Sequence, residues 1–334
     1  MQQDAAGGHA YVLLCAYHKF GDPRYLEHCK SALEALISQK ESRFYEALLP
    51  LGVYVAAYLN ATEGTNYNVS KLFDWVFNGC QSSSGRTGWG IIVGKWGDYD
   101  VSGLQGSITD GGGYAFLMNS IKPAWPFIPL VKYQPEYAKA IGKWMLNNSS
   151  ACRLFYPGDI DEKHQWAPEL KNITNNHVSY EGLKKADDYG KESLKGVSPV
   201  AIGDGPKWIE GNPAESMFSV YSSSPVGILG AIITKTDVEG ILQLDCNATD
   251  FYVDKPYPVY LYYNPYKEAK TITYRASQEC DLFDIVAKKY VARNVNESGL
   301  IEIPANDARV IVELPQGTVL ELQDGKIIAN KENI

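Results

Sequence analysis

The sequence predicts an α+β chain of two domains, helical hairpins first and an antiparallel β-sandwich last. Two observations carry this. Apolar residues recur at helical spacing through 5–20, 23–39, 44–60 and 69–78, with only short breaks between them. Towards the C-terminus the period changes to two, over 259–263, 270–274, 300–303, 308–314, 319–322 and 326–328. Turn residues separate these runs at Asn264-Pro265, Pro315-Gln316-Gly317 and Asp324-Gly325. Runs of helices followed by runs of strands indicate separate domains rather than one alternating sheet. The expected boundaries are 1–211 for the helical domain, 212–254 for a crossing segment and 255–334 for the sandwich.

The first helix is broken by Gly21-Asp22-Pro23. The second opens with Pro23 in its first turn, where a missing N–H costs nothing, and carries the stripe Tyr25, Leu26, Cys29, Leu33 and Leu36. The third tolerates or kinks at Pro50. Consecutive amphipathic helices with short breaks form antiparallel hairpins, which stack into solenoids or closed toroids. Segments 112–120 and 135–148 continue the helical pattern, and the prolines of Trp125-Pro126 and Ile128-Pro129 mark a connector between them. Regular patterning is lost over 154–211, as in a set of functional loops. Segment 226–233 reads as helix or strand, and 281–287 as a short strand or a helical turn.

The chain has 334 residues and a formal net charge of −8. With no Lys/Arg run, these argue against a nucleic-acid partner. No apolar run is long enough for a transmembrane segment. The opening lacks a signal-peptide pattern and reads as the interior of a helical domain, as though cut from something longer. The 23 tyrosines and 7 tryptophans suit polyhydroxylated ligands, and suit core packing equally. The six cysteines show no ligand spacing, so buried thiols are expected rather than a zinc site.

The stretch 88–119 is the expected functional loop. It holds two tryptophans, three aspartates and a dense set of glycines between helical regions. Glycoside cleavage needs two carboxyl groups flanking the bond, one of them protonated near neutral pH. Asp98, Asp100 and Asp110 are therefore the candidate catalytic residues. Trp89, Trp96, Tyr114, Asn119, Trp125 and Trp166 are the candidate substrate-binding residues. Asp4 and Glu46 are further carboxylates able to face a toroid axis, and His9 is a weaker pocket candidate beside Asp4. Asp110 also stands where an N-cap of 112–120 would fall. A second reading is a structural Ca²⁺ held by Asp98, Asp100 and Ser102, since Asp98-Tyr-Asp100-Val-Ser102-Gly103 opens like a calcium loop. The glutamate expected at its twelfth position is Thr109 here. None of His9, His18, His28, His164 and His177 has metal spacing, and no other cofactor is expected.

The tail YPVYLYYNPYKEAKTITYR … CDLFDIVAKKYVARNV … IEIPANDARVIVEL resembles the accessory β-domain that closes bacterial glycosidase-like chains. The segment SITDGGGYAFLMNSIKPAWPFIPLVKYQPEYAKAIGKWMLNNSSACRLFYP is similar to a secreted bacterial family without a defined activity. Taken together, the chain resembles the six-hairpin (α/α) toroid glycosidase-like superfamily. That resemblance implies a toroid of about twelve helices when whole. The six or seven counted here match a partial one. It further implies a polysaccharide or oligosaccharide ligand and a secreted, periplasmic or cell-surface location. Fold does not fix the reaction. A non-catalytic carbohydrate-binding or surface-assembly protein would use the same aromatics. A polysaccharide lyase would need a tyrosine or histidine base and a cation, for which Tyr114 and Arg86 are candidates.

Overall fold

The structure is a computed structural model that describes residues 4–42, 44, 47–79, 89–107, 113–170, 179–186, 191–203, 225–251, 253–254, 256–323, 326–330 and 332–333. Helices dominate the N-terminal half and antiparallel sheets the C-terminal half, so the chain is α+β. It divides into two compact units, each assembled from separated stretches. The first comprises Met1–Ala56, Asn66–Ala124 and Asn147–Leu229; the second comprises Ala57–Thr65, Trp125–Leu146 and Gly230–Ile334.

Four helices open the chain: α1 (Ala5–Phe20), α2 (Pro23–Ile37), α3 (Leu48–Thr62) and α4 (Val69–Phe77). Their ends follow from local chemistry. Gly21 stops α1 in the left-handed conformation, its N–H reaching the Tyr17 carbonyl at 2.8 Å. The Asp22 side chain caps α2 by accepting from the Arg24 amide at 3.0 Å. Asn68 caps α4 through the Lys71 amide at 3.0 Å. Helix α2 buries Cys29, Leu33 and Leu36, one stripe at helical spacing. Helices α1 and α3 touch through glycines: a Cβ on Gly7 would lie 2.6 Å from the Leu48 carbonyl and 3.2 Å from Gly52 Cα. Only a residue without a side chain permits that approach.

The stretch expected as a long loop is instead short antiparallel strands: β1 (Trp89–Ile91), β2 (Lys95–Trp96), β3 (Tyr99–Asp100), β4 (Gln105–Ser107) and β5 (Tyr114–Phe116). The expected helix over 112–120 is corrected accordingly. Tyr114-Ala-Phe116 pairs as a strand, and only Leu117–Ile121 is helical (α5). Aromatic side chains at alternate positions favour a pleated strand.

The expected connector is a helix too. α6 (Ala124–Tyr133) contains Pro129, which has no N–H to give the Trp125 carbonyl four residues back. The Thr249 hydroxyl supplies that bond instead, at 2.8 Å. Two residue types beside it hold the same helix within the second unit. Lys132 Nζ lies 2.5 Å from Asp250 Oδ2 and donates to Asn247 Oδ1 at 2.9 Å. Tyr133 Oη donates to Asp250 at 2.7 Å.

Next come α7 (Ala138–Ala151), β6 (Gly182–Lys184) and β7 (Val200–Ile202). The last two lie in the stretch expected to be irregular. They complete a five-stranded antiparallel sheet in the order β1-β4-β5-β6-β7. Its inner side rests on Trp96, Leu104, Leu117, Phe155, Tyr180 and Leu183, all buried. Asn148, wholly buried, donates to the Gly103 carbonyl at 2.9 Å and the Ser120 carbonyl at 2.7 Å. The Ser120 hydroxyl in turn accepts from the Gln105 amide at 2.9 Å.

Segment 226–233 resolves into α8 (Val226–Ile232) followed by β8 (Ile233–Lys235). The remaining strands are β9 (Leu242–Asp245), β10 (Val259–Asn264), β11 (Lys270–Arg275), β12 (Cys280–Asp284), β13 (Lys289–Val295), β14 (Ser298–Ile303), β15 (Asp307–Pro315), β16 (Leu320–Gln323), β17 (Lys326–Ala329) and β18 (Glu332–Asn333). A six-stranded sheet runs β13-β12-β15-β10-β9-β8, beside the pair β11-β14 and the triplet β16-β17-β18. One core joins the first two, with Tyr262, Leu282 and Ile311 against Ile272, Tyr274, Ile301 and Ile303. Cys29, Cys152, Cys246 and Cys280 are buried thiols, and burial pushes Cys29 up to about 12. Among the described residues no helix is long and apolar enough to cross a membrane.

The clamp on α6 can be tested by denaturant unfolding. Thr249→Val leaves the part-buried Trp125 carbonyl without its donor and is expected to cost about 1–3 kcal/mol. Asp250→Ala leaves the half-buried Lys132 ammonium with only its Asn247 bond and takes the acceptor from Tyr133, and is expected to cost about 3 kcal/mol. Equal, near-zero losses for both would show that the helix does not depend on these bonds.

Candidate functional site

The five-stranded sheet of the first unit builds the candidate site, and β5 lies at its centre. Residues two apart on a strand share a face. Tyr114 and Phe116 accordingly stand side by side, ring centroids 5.9 Å apart and 23° from parallel. Across the ladder Tyr114 pairs with Lys184, and Phe116 with Gly182. The Tyr114 ring leans diagonally over Gly182, where a Cβ would fall 2.3 Å from ring carbon Cε2. Glycine at 182 therefore makes room for the ring. Lys184 Nζ sits over the same ring, 4.9 Å from its centroid, a cation–π contact. The Tyr114 hydroxyl then reaches Glu181, donating to Oε1 at 3.5 Å.

Glu181 is fixed by its backbone, whose N–H donates to the Ile202 carbonyl at 3.0 Å while its carbonyl accepts from Leu117 at 2.9 Å. Burial raises its pKa above the ordinary glutamate value, and the Tyr114 hydrogen bond opposes this. At 3.5 Å that bond is at the long limit and weak, so burial prevails. The result is a half-buried carboxyl that holds its proton more tightly than a surface glutamate does.

Tyr114 also packs on a small cluster of Trp166, Ala167, Leu194, Val200 and Ile202. Here too a lysine covers the ring, with Lys191 Nζ 3.9 Å from the Trp166 centroid. Lys191 bonds the Trp166 carbonyl and pairs with Glu169 Oε1 at 2.9 Å. Burial pushes Glu169 up, but its own backbone amide and the Lys191 ammonium outweigh it and leave its pKa lowered. His164 is buried, with Nδ1 2.7 Å from the Pro199 carbonyl and its ring edge-on to Tyr99 at 4.9 Å, a packed histidine bracing this corner.

The sequence candidates fall in several places. Asp110, Glu46, Arg86 and His177 lie outside the described residues. Asp98 occupies the tip of the β2–β3 hairpin, exposed, with Asp100 exposed at its end. The Ser102 side chain and amide hold Asp100 below the ordinary carboxylate value, with Ser102 N–H donating to Oδ1 at 2.9 Å. Ser102 Oγ accepts from the Gly94 amide at 3.0 Å. Two oxygens of the expected calcium loop are thus bonded to backbone amides. Among the described residues no group of three or more His, Cys, Asp or Glu side chains is placed to hold a metal.

Trp89, Trp96 and Trp166 are 2%, 5% and 5% exposed, which makes them packing residues, not bare platforms. Asn119 is buried in α5. Trp125 belongs to the second unit, edge-on to Phe251 at 5.5 Å. Asp4 is buried at the start of α1, and His9 is exposed on it. Tyr114 and Trp166 are brought together; Glu181, Lys184 and Lys191 join them without having been singled out.

The raised Glu181 pKa fixes a sign. Above the ordinary glutamate value and up to the raised one, the folded chain keeps a proton that the unfolded chain releases, so stability falls as pH rises through that window. Glu181→Gln removes this loss. Thermal melts of parent and variant at about pH 4 and about pH 7 should show the variant gaining on the parent at the higher pH. A constant difference between them would deny the shift. The chain was compared with models of known protein families and with curated proteins, and none of either matches it.

Proposed function

We propose that this chain is a glycoside-hydrolase-like protein acting on a polysaccharide or oligosaccharide, with Glu181 as the proton donor. The observation that carries this reading is the half-buried Glu181 carboxyl, its pKa raised by burial, at the hydroxyl of Tyr114. An acid that holds its proton more tightly than a surface glutamate is suited to protonating a leaving glycosidic oxygen. The second carboxyl that glycoside cleavage requires is assigned to Asp110. It precedes Tyr114 by four residues in the sequence. As base it would activate water; as nucleophile it would take the sugar. Backbone bonds hold Glu181 in place, with the Tyr114 hydroxyl beside its carboxyl. In the same reading the helical hairpins belong to a whole or partial (α/α) toroid closed by a C-terminal β-sandwich, and the protein works in a secreted, periplasmic or cell-surface setting. Four consecutive helices and two sheets sharing one core support that architecture.

A polysaccharide lyase is the second reading, favoured by the Lys184 ammonium over Tyr114. Such an enzyme abstracts the proton beside a uronate with a tyrosine base while a cation neutralises the carboxylate. Hydrolysis and elimination give different products, so one glycan panel separates them. Reducing ends without ultraviolet absorbance indicate hydrolysis; an unsaturated, absorbing end group indicates elimination. For hydrolysis, Glu181→Gln and Asp110→Asn should each lower turnover about 10²–10⁴-fold. The parent rate should fall as pH rises through the raised Glu181 pKa, because the acid must enter protonated. Retention on a glycan without cleavage would make the chain a binding protein, and full activity in Glu181→Gln would move the acid elsewhere.

A further inference from the structure

The lysines of this unit differ in how their charge is met. Lys191 faces Glu169 at 2.9 Å, Lys195 faces Glu192 at 2.5 Å and Lys163 faces Asp161 at 3.7 Å. Lys184, on the central site, has the Tyr114 ring and, among the described residues, no ion-pair partner. In a chain of net charge −8, a lysine without an ion pair among the described residues, beside a carboxyl-bearing site, is notable for its position. It is half-buried, and the strand register fixes it directly across from Tyr114. A contact with a ring face is worth about 0.5–1 kcal/mol at a partly exposed position, well short of what a carboxylate offers through a charge-assisted bond. Glu181 does not supply that carboxylate: it lies at the hydroxyl end of the ring and forms no ion pair with Lys184.

We infer that Lys184 is a specificity-determining residue that selects a glycan bearing a carboxylate, so that the substrate class is a uronate-containing oligosaccharide. This rests on the reading of the Tyr114–Glu181 site as carbohydrate-directed. A sugar ring held at Tyr114 would place its carboxylate on the ammonium above the ring face, leaving the hydroxyl side of the site to Glu181. A neutral sugar would leave the ammonium desolvated without an anion, which disfavours it.

The test uses oligogalacturonate, oligoglucuronate and oligomannuronate, each as the acid and as the uncharged methyl ester, with a neutral glucan alongside. Binding is measured by calorimetry on the full chain. At least one acid should bind about tenfold more tightly than its ester, a difference of about 1.4 kcal/mol, and the preference should shrink with added salt. Lys184→Gln should lose that preference, and Lys184→Arg should retain it. Equal binding of every acid and its ester, or a preference that survives Lys184→Gln, overturns the inference and leaves the carbohydrate reading standing. Tighter binding of the neutral glucan does the same. Binding of none of these glycans overturns both.

Discussion

The buried amide of Asn148 is the constraint on which the small sheet depends. Strands of three residues form too few ladder bonds to stand alone, and β1, β4, β5, β6 and β7 are all of that length. Asn148 bonds the Gly103 carbonyl just before β4 and the Ser120 carbonyl in α5. Ser120 closes the circuit on the Gln105 amide within β4. One side chain of α7 thus ties a strand and a helix, and β5, between them in sequence, inherits its position. Tyr114 occupies a fixed place because its strand has nowhere else to go.

Helix starts and stops were the most legible part of the chain. Gly21, Asp22-Pro23 and Asn68 act through nearest-neighbour backbone chemistry, and the observed ends of α1, α2 and α4 fall within two residues of those expected. β10, β11 and β15 of the tail were equally legible, because runs of alternating or β-branched residues leave a pattern, whereas β13 left none and β12 read as strand or helical turn. What could not be read was structure whose cause lies far away. α6 tolerates Pro129 only because Thr249 replaces the lost donor. Three-residue strands show barely one alternation, so β6 and β7 merged into an irregular stretch. The site followed the same rule. Tyr114 and Trp166 stood out by residue type, whereas Glu181 and Lys184 acquire meaning only when β6 lies beside β5.

The aromatic richness of the chain also has two physical origins. Trp89, Trp96 and Trp166 serve the interior. Where rings approach the surface, lysines lie over them, as Lys184 does on Tyr114 and Lys71 on Trp75. A lysine stem spread over a ring removes apolar area from water while its ammonium remains hydrated. The same device that shields the rings gathers positive charge at the sheet, in an otherwise acidic chain.

The clamp on α6 has a consequence in time. Its bonds join residues 115, 117 and 124 positions apart in the chain. During synthesis α6 emerges with an orphaned carbonyl and a lysine lacking its counter-ion, and both remain so until the segment after β9 leaves the ribosome. Contacts of such long sequence separation close late, because the entropy of the intervening loop must be overcome first. The second unit therefore cannot assemble in the order in which it is made. Its helical piece waits, apolar and exposed, for the strands that complete it, and that interval is when the chain is most open to aggregation.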